Sequence, residues 1–182
     1  MDHLEAIVEI KKILPEEFNK LLVPLIDKKA VKDLAVAANP NNENIRSVKG
    51  HHLSFDTPTD MFYWNLIKMQ IERMHPFYKS KFKQITSDKV NQIDLLKYSV
   101  GGKYDIHVDN CYLNTRTLSV IINLNDDYEG GDLVFFNQEG KEIKRLKLER
   151  NSIVFFPSNF MYPHMIEPIT KGTRYSIVAW LQ

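Results

Sequence analysis

This sequence of 182 residues has only one cysteine, no long apolar run and no excess of one charge. Cys111 is the only cysteine, so an internal disulfide is excluded and a reducing compartment suits the chain. No apolar run approaches the roughly 20 residues of a membrane span, and the start, MDHLEAIVEIKK, lacks the features of a signal peptide. We therefore expect a cytoplasmic protein without a membrane partner.

The charged residues are balanced and scattered along the chain. Lys and Arg total 24, Asp and Glu total 23, and no basic stripe of the kind that neutralises phosphates is present. Nucleic acid is therefore not an expected partner. Apolar residues make up 43% and aromatic residues 11%, which is typical of a globular protein. The length predicts one folding unit over residues 1–182.

Two amphipathic helices are predicted in the first half of the chain. The first begins at Pro15, and the second is expected to break near Pro76. A loop at 38–44 and a strand within 45–55 separate them. Their apolar stripes consist of Phe18, Leu21, Leu22, Leu25 and Ile26 in the first helix and of Tyr63, Ile67, Ile71, Met74 and Tyr78 in the second.

From about residue 91 the sequence consists of short runs rich in Val, Ile, Phe, Tyr and Leu, separated by turn residues. This alternation of short apolar runs with turn residues is typical of an antiparallel barrel or sandwich. Helices followed by strands predict an α+β fold in which the helices cover one face of the sheet. The runs are QIDLLKYSV, KYDIHVD, TLSVIINL, DLVFF, EIKRLKL, SIVFFP, MYPHMIEP and TRYSIVAWL.

Three residues form a candidate metal site. His107 and Asp109 are two positions apart in a predicted strand, so their side chains leave the same face, and His164 lies in a later predicted strand. Two imidazoles and one carboxylate can hold a ferrous ion and leave positions for substrate and oxygen, whereas structural zinc favours four closed ligands. Alone, a His-x-Asp pair is more often a surface pair, and His164 alone is more often structural.

Arg174 strengthens the metal interpretation. It lies ten positions after His164, on the next predicted strand. A guanidinium is always charged and can bind a carboxylate through two hydrogen bonds, although an exposed strand arginine is the ordinary alternative. His51 and His52 are adjacent on a strand and face opposite ways, so we do not predict them as ligands.

These residues resemble the iron(II)- and 2-oxoglutarate-dependent oxygenases of the prolyl 4-hydroxylase class. The resemblance covers about residues 91–182 and rests on four elements in order: His-x-Asp, an EGG turn before a strand, the distal His, and a basic residue ten positions later. It extends to bacterial hydroxylases of this class and to versions carried by bacteriophages. The segments are YSVGGKYDIHVDN, RTLSVIINLNDDYEGGDLVFF and SIVFFPSNFMYPHMIEPITKGTRYSIVAW.

The resemblance implies a double-stranded β-helix, a jelly-roll or cupin-like barrel, over residues 91–182, with residues 1–90 as its helical and strand support within one oxygenase domain. It also implies that His107, Asp109 and His164 hold Fe(II). Arg174 would then bind the distal carboxylate of 2-oxoglutarate.

Further pocket residues also follow from the resemblance. Tyr98 would face the cosubstrate, Tyr104 would line the same entrance, and Trp180 would wall the iron pocket. The second partner of the cosubstrate carboxylate is left open among Thr117, Asn123 and Tyr98. Asn110 and Cys111 follow the metal pair directly, and a role in loop structure is the favoured interpretation for both.

The leading functional hypothesis is a dioxygenase that uses Fe(II), 2-oxoglutarate and O2, with ascorbate as a supporting reductant, to hydroxylate a C–H bond of a protein or peptide. A prolyl residue is the first candidate, and succinate and CO2 would be released. The alternatives are another residue, a small metabolite, or a non-catalytic metal- or sugar-binding cupin-like module. A phage-encoded version would act in the host cytoplasm.

Overall fold

The computed structural model describes residues 3–34, 45–111 and 115–182, so the predicted loop at 38–44 lies outside the described residues. The described chain begins with a short 3-10 helix, His3–Ala6. Its helices are α1 (Glu16–Lys29) and α2 (Pro58–Lys81). Its strands are β1 (Val8–Ile10), β2 (Lys32–Asp33), β3 (Arg46–Ser47), β4 (Lys49–His52), β5 (Val90–Tyr98), β6 (Lys103–His107), β7 (Leu118–Asn123), β8 (Glu129–Gly130), β9 (Leu133–Phe136), β10 (Glu142–Leu146), β11 (Ser152–Pro157), β12 (His164–Ile166), β13 (Ile169–Lys171) and β14 (Arg174–Leu181).

The strands form two main antiparallel sheets. The larger sheet has seven strands in the order β1-β11-β7-β14-β5-β4-β2, and the smaller has five in the order β10-β9-β12-β6-β3. Strands β8 and β13 form a short ribbon. Strands that are distant in sequence become neighbours in both sheets, as in a jelly roll, which confirms the predicted α+β fold with a double-stranded β-helix.

Helix α1 covers the outer face of the seven-stranded sheet. It is flanked by Glu16 and Glu17 in the first turn and by Lys28 and Lys29 in the last, each favourably placed in the helix dipole. Four of the five predicted stripe residues are buried. Leu21 is the exception, with 48% of its surface exposed, because it lies at the margin of the stripe when residues are spaced at about 100°.

Helix α2 contributes to the same buried apolar cluster as α1 and the seven-stranded sheet. The Thr57 side chain accepts a hydrogen bond from the Asp60 N–H at 3.1 Å and caps the helix. The predicted break at Pro76 is wrong, since α2 continues to Lys81. Proline removes one hydrogen bond, and buried Tyr78, which contacts Phe155 and donates to the Ala6 carbonyl, holds the last turns on the sheet. Neither described helix is long and apolar enough to cross a membrane.

The predicted strand at 45–55 is divided between the two sheets. Strand β3 pairs with β6 at the edge of the five-stranded sheet, whereas β4 pairs with β5 in the seven-stranded sheet. The change occurs at Val48, whose side chain is buried between the sheets. This crossing places Arg46 at the edge of the space that the sheets enclose.

Candidate metal centre and cosubstrate pocket

The three predicted metal ligands converge between the sheets. His107 ends β6 and is the direct cross-strand partner of His164, which begins β12. Their Nε2 atoms lie 3.5 Å and 3.7 Å from the two carboxylate oxygens of Asp109. One ligand atom from each residue falls within 4.8 Å of the others, and no other such group occurs among residues 3–34, 45–111 and 115–182.

Asp109 reaches this cluster differently from the prediction. Strand β6 ends at His107, so Asp109 lies in the loop that follows and not within the strand. The loop is fixed by hydrogen bonds from the Asn110 N–H to the Ser158 carbonyl and from the Arg116 N–H to the Asn110 side chain. Asn110 therefore has the structural role that the sequence favoured, and Cys111 beside it is a free, half-buried thiol.

Both imidazole rings present a lone pair to the centre. The Nδ1 atom of His107 lies 2.8 Å from the Asp105 carbonyl, and that of His164 lies 3.0 Å from the Tyr162 carbonyl. Because a carbonyl oxygen only accepts, each Nδ1 carries a hydrogen, and a ring in its neutral form then leaves Nε2 unprotonated. This is the arrangement in which histidines ligate a metal.

The charge states also suit a metal. Burial, together with repulsion from His107, lowers the pKa of His164 to about 4 despite the attraction of Asp109, so this ring is neutral at neutral pH. Burial alone would raise the pKa of the Asp109 carboxyl. His164, His107 and a hydrogen bond from Ser119 outweigh burial and hold that pKa well below its usual range. The centre therefore offers a neutral His164 imidazole and an ionised Asp109 carboxylate, with Nε2 of His107 beside them.

Two buried serines hold the Asp109 carboxylate. The Ser119 hydroxyl donates to Oδ2 of Asp109 at 2.6 Å, and its oxygen lies 2.7 Å from the Ser158 hydroxyl. Since the Ser119 hydrogen is used on Asp109, Ser158 donates to Ser119. Both serines are almost fully buried, so this chain fixes the carboxylate orientation without water.

Aromatic rings enclose the histidines. Tyr104 stacks on His107 with ring centres 3.5 Å apart, and Phe135 and Phe156 pack around His164 at 5.7 Å and 4.8 Å. Burial raises the pKa of the Tyr104 hydroxyl to about 12, so it stays protonated. These rings keep the ligands dry and restrict their rotation.

Arg174 lies in the same pocket, and two of its guanidinium nitrogens find no acceptor in the described part of the chain. Its Nε donates to Oδ1 of Asn123 at 3.2 Å, while Nη1 and Nη2 are buried without an acceptor among the described residues. Leaving a buried guanidinium unpaired is costly. A bound carboxylate would satisfy both nitrogens, as the distal carboxylate of 2-oxoglutarate requires.

The pocket is built on alternate residues of its strands. From β14 it takes Arg174, Ser176, Val178 and Trp180, which point inward because every second side chain leaves the same face. Its lining residues are Arg46, Leu96, Tyr98, Tyr104, His107, Asp109, Ile121, His164, Ile166, Arg174, Ser176, Val178 and Trp180.

The predicted cosubstrate residues divide into three groups. Tyr98, Tyr104 and Trp180 line the pocket, and the Tyr98 ring centre lies 5.3 Å from the Arg174 guanidinium carbon. Asn123 is fully buried behind Arg174 and orients it, while its Nδ2 is held by the carbonyls of Leu148 and Asn125.

Thr117 does not lie near the cosubstrate carboxylate. It is exposed, and its N–H donates to the Leu181 carbonyl, at the opposite end of β14 from Arg174. Arg174 and Leu181 are seven residue steps apart along β14, a distance of about 23 Å. The proposed Thr117 contact is therefore wrong, because the strand direction carries it away from Arg174.

Arg116 is a further residue that the sequence did not single out. Its guanidinium lies 3.5 Å from the centre of the Trp180 ring, and it donates to the Asp109 carbonyl at 3.2 Å and to Gln92 at 2.8 Å. Gln92 in turn donates to Asp94, which also pairs with His52. These contacts tie the Asp109 loop to the Trp180 wall.

Comparison with known proteins agrees with this geometry. Residues 93–182 match the family model of the 2OG-Fe(II) oxygenase superfamily. PKHD-type hydroxylases of Gloeothece citriformis and Prochlorococcus marinus are 33% identical over 100 residues and 36% over 98. Each match covers 52% of this chain but only 44% and 42% of those proteins.

Solved structures resemble the whole described fold. A Pseudomonas putida prolyl-4-hydroxylase has a TM-score of 0.75 at 18% identity and covers 100% of this chain and 96% of its own. A Trichoplax adhaerens prolyl hydroxylase, solved with a hypoxia inducible factor peptide fragment, has a TM-score of 0.76 at 19% identity over 99% of this chain and 86% of its own. At these identities the likeness shows the fold.

Proposed function

From the premise that this chain belongs to the 2OG-Fe(II) oxygenase superfamily through residues 93–182, we propose that the protein is an Fe(II)- and 2-oxoglutarate-dependent hydroxylase. Its substrate is a protein or peptide, with a prolyl residue as the first candidate. One C–H bond becomes C–OH with one atom of O2, and 2-oxoglutarate takes the other atom as it becomes succinate and CO2.

One observation carries the proposal. The two unpartnered nitrogens of Arg174 open into the same pocket as the ligand atoms of His107, Asp109 and His164. A metal site alone would fit many proteins, and a buried arginine alone would fit any carboxylate. Together they match a cofactor set of a metal ion and a dicarboxylate.

Each side chain has a separate task in this reaction. When bound, iron and 2-oxoglutarate supply the oxidising chemistry. His107, Asp109 and His164 would hold the metal, and Arg174 would orient the distal carboxylate. The apolar lining, with Trp180, excludes water around the reacting C–H bond.

Support for a peptide substrate comes from related proteins. The Trichoplax adhaerens neighbour is a prolyl hydroxylase solved with a peptide fragment, and a viral neighbour from Paramecium bursaria Chlorella virus-1 is named a collagen prolyl hydroxylase. The two sequence relatives are bacterial, and no finding supports a phage origin. Origin and cellular location remain predictions.

The direct test is succinate formation. Protein purified without oxygen is supplied with Fe(II), 2-oxoglutarate, ascorbate, O2 and a library of proline-containing peptides, and succinate and added oxygen are measured. Arg174→Met should raise the KM for 2-oxoglutarate at least about thirtyfold, because a charge-assisted pair is lost. Arg150→Met is a matched control, since Arg150 pairs with Glu16 on the surface.

The rival functions give different results in this assay. Oxygen added only to a small molecule would favour a metabolite hydroxylase. An iron-bound, folded protein that forms no succinate with peptides or metabolites would favour a non-catalytic binding module. An unchanged KM in Arg174→Met would remove Arg174 from its role.

A further inference from the structure

A second arginine enters the pocket from outside the family match. Arg46 lies on β3, where it pairs with Tyr104 of β6 at the edge of the five-stranded sheet. Its guanidinium carbon lies 4.7 Å from the centre of the Tyr104 ring, and that ring stacks on His107. Arg46 therefore lies one aromatic ring away from a metal ligand.

The charged end of Arg46 is incompletely satisfied. In the described parts of the chain, no side-chain hydrogen bond or ion pair to Arg46 occurs, and its Nε is buried without an acceptor. Among the described residues, its side chain contacts the Tyr104 ring, and its charge also acts on the nearby Tyr98 hydroxyl. Burying an unpaired donor costs free energy, so an oxygen ligand at this position would be stabilising.

The charges in the pocket indicate which kind of ligand Arg46 would bind. Arg46, Arg174 and Asp109 are the fully charged side chains of its described lining. The charges of bound Fe(II) and 2-oxoglutarate cancel, because Fe(II) carries two positive charges and 2-oxoglutarate carries two negative charges. Asp109 then balances one arginine. One positive charge is left over, and Arg174 is already used by the cosubstrate.

We propose that Arg46 binds a carboxylate of the substrate and so selects anionic substrates. This inference rests on the proposed hydroxylase function and deepens it. The planar guanidinium matches a carboxylate through two parallel hydrogen bonds. A dianionic phosphate would leave a net negative charge in the pocket, and no second unused cation lies on its described lining.

The carboxylate can come from two sources. One is an acidic side chain next to the target residue in a peptide, and the other is the α-carboxylate of a free amino acid. Two probe pairs separate them: acetyl-Ala-Pro-Glu-amide against its Gln counterpart, and L-proline against L-prolinamide. Within each pair the charged carboxylate is replaced by a neutral amide.

Binding is measured first, so that the result does not depend on turnover. The protein is loaded with Mn(II) and 2-oxoglutarate under nitrogen and titrated with each probe by calorimetry. In the unaltered protein we expect one carboxylate probe to bind about tenfold or more tightly than its amide. The pair that shows this difference identifies the source.

Three variants test whether Arg46 causes the preference. Arg46→Met keeps the aliphatic stem and should reduce the acid-to-amide ratio to about one, whereas Arg46→Lys should keep part of it. Arg150→Met should leave the ratio unchanged. Arg46→Met should also leave 2-oxoglutarate binding intact, while Arg174→Met should weaken it.

Three results would overturn the inference: no carboxylate preference in the unaltered protein at millimolar probe, a preference that survives in Arg46→Met, or a loss of 2-oxoglutarate affinity in Arg46→Met as large as in Arg174→Met. The last would make Arg46 a cosubstrate residue.

An aerobic assay with Fe(II) separates the two proposals. Carboxylate preference without succinate would mean that the hydroxylase function fails while the carboxylate site stands. Equal hydroxylation of the acid and amide probes would mean that the hydroxylase function stands while the carboxylate site fails.

Discussion

The two faces of the seven-stranded sheet are built from the same strands but have different chemistry. On β14, Ile177, Ala179 and Leu181 point outward into an apolar cluster with the helices. The intervening residues Val178 and Trp180 point inward to the pocket. The outer face contains ordinary core, whereas the inner face contains buried hydroxyl, amide and guanidinium groups that serve the candidate site.

This difference teaches that stability and chemistry alternate along one strand with a period of two. Substitutions one residue apart should then separate the two properties. Residues on the outer face should change unfolding alone, and residues on the inner face should change metal or cosubstrate binding as well. Four experiments examine this division, in order of decreasing expected effect.

The largest effect is expected from Phe155→Ala and Phe156→Ala. Both rings are fully buried on β11, but Phe155 contacts Tyr78 of α2 whereas Phe156 packs against His164. Each substitution should lower the free energy of unfolding by about 3–5 kcal/mol. Urea denaturation measures this loss, and metal titration of the folded fraction should show weaker iron binding in Phe156→Ala only. Equal iron affinities would contradict a functional difference between the faces.

The next effect concerns Ser119, which donates to the Asp109 carboxylate. Ser119→Ala should weaken Fe(II) binding by about 10–100-fold, because the ligand loses the group that orients it. Ser152→Ala is the matched control, since Ser152 is equally buried but donates to the Glu149 carbonyl. If both variants bind iron equally well, Ser119 is only a packing residue.

A smaller effect is expected from Arg116, which lies over Trp180 and holds the Asp109 carbonyl. Arg116→Met should reduce substrate turnover roughly three- to thirtyfold, the range of a partly buried cation–π contact. Arg116→Lys should recover part of the loss. Stopped-flow measurement of single-turnover rates is the readout, and an unchanged rate would show that Trp180 needs no support from Arg116.

The smallest effect is a pH dependence of stability at the rim of the inner face. The hydrogen bond to Asp94 raises the pKa of His52 in the folded protein. The stabilisation of the folded protein by this hydrogen bond is complete below pH 6.5, the ordinary pKa of histidine. It is lost as the pH rises through the higher pKa of His52 in the folded state. Because His52 is half exposed, the loss should stay below about 1 kcal/mol. Denaturation at several pH values should show it in the unaltered protein and not in His52→Gln.

The sequence predicted the elements of the outer face well, because that face depends on local periodicity. The stripes of α1 and α2 and the eight strand runs from residue 91 all appear in the structure. Each of the two errors has an identifiable cause. Leu21 lies at the margin of its stripe, and tertiary contacts at Tyr78 carry α2 through Pro76.

The inner face was only partly predictable. That His107, Asp109, His164 and Arg174 share one pocket was predictable because their types and spacing match a known pattern. Thr117 was misplaced because sequence does not give strand direction. Ser119 on β7 and Ser158 just after β11 are brought together only by the pairing of these strands. No sequence motif predicts a hydroxyl that supports the Asp109 carboxylate. Arg46 could not be found, because its position depends on how β3 attaches to the smaller sheet.

At Val48 the chain passes from the five-stranded sheet to the seven-stranded sheet, and this has a consequence for how the substrate specificity of such a protein can change. The candidate metal centre and Arg174 lie within residues 93–182, which match the family model, but Arg46 lies on an edge strand outside them. Exchange of that strand for another would alter which molecules are accepted and leave the oxidative machinery intact. If both proposals hold, selectivity and chemistry are encoded in separable stretches of one chain, and grafting residues 45–52 from a relative is a route to new specificity.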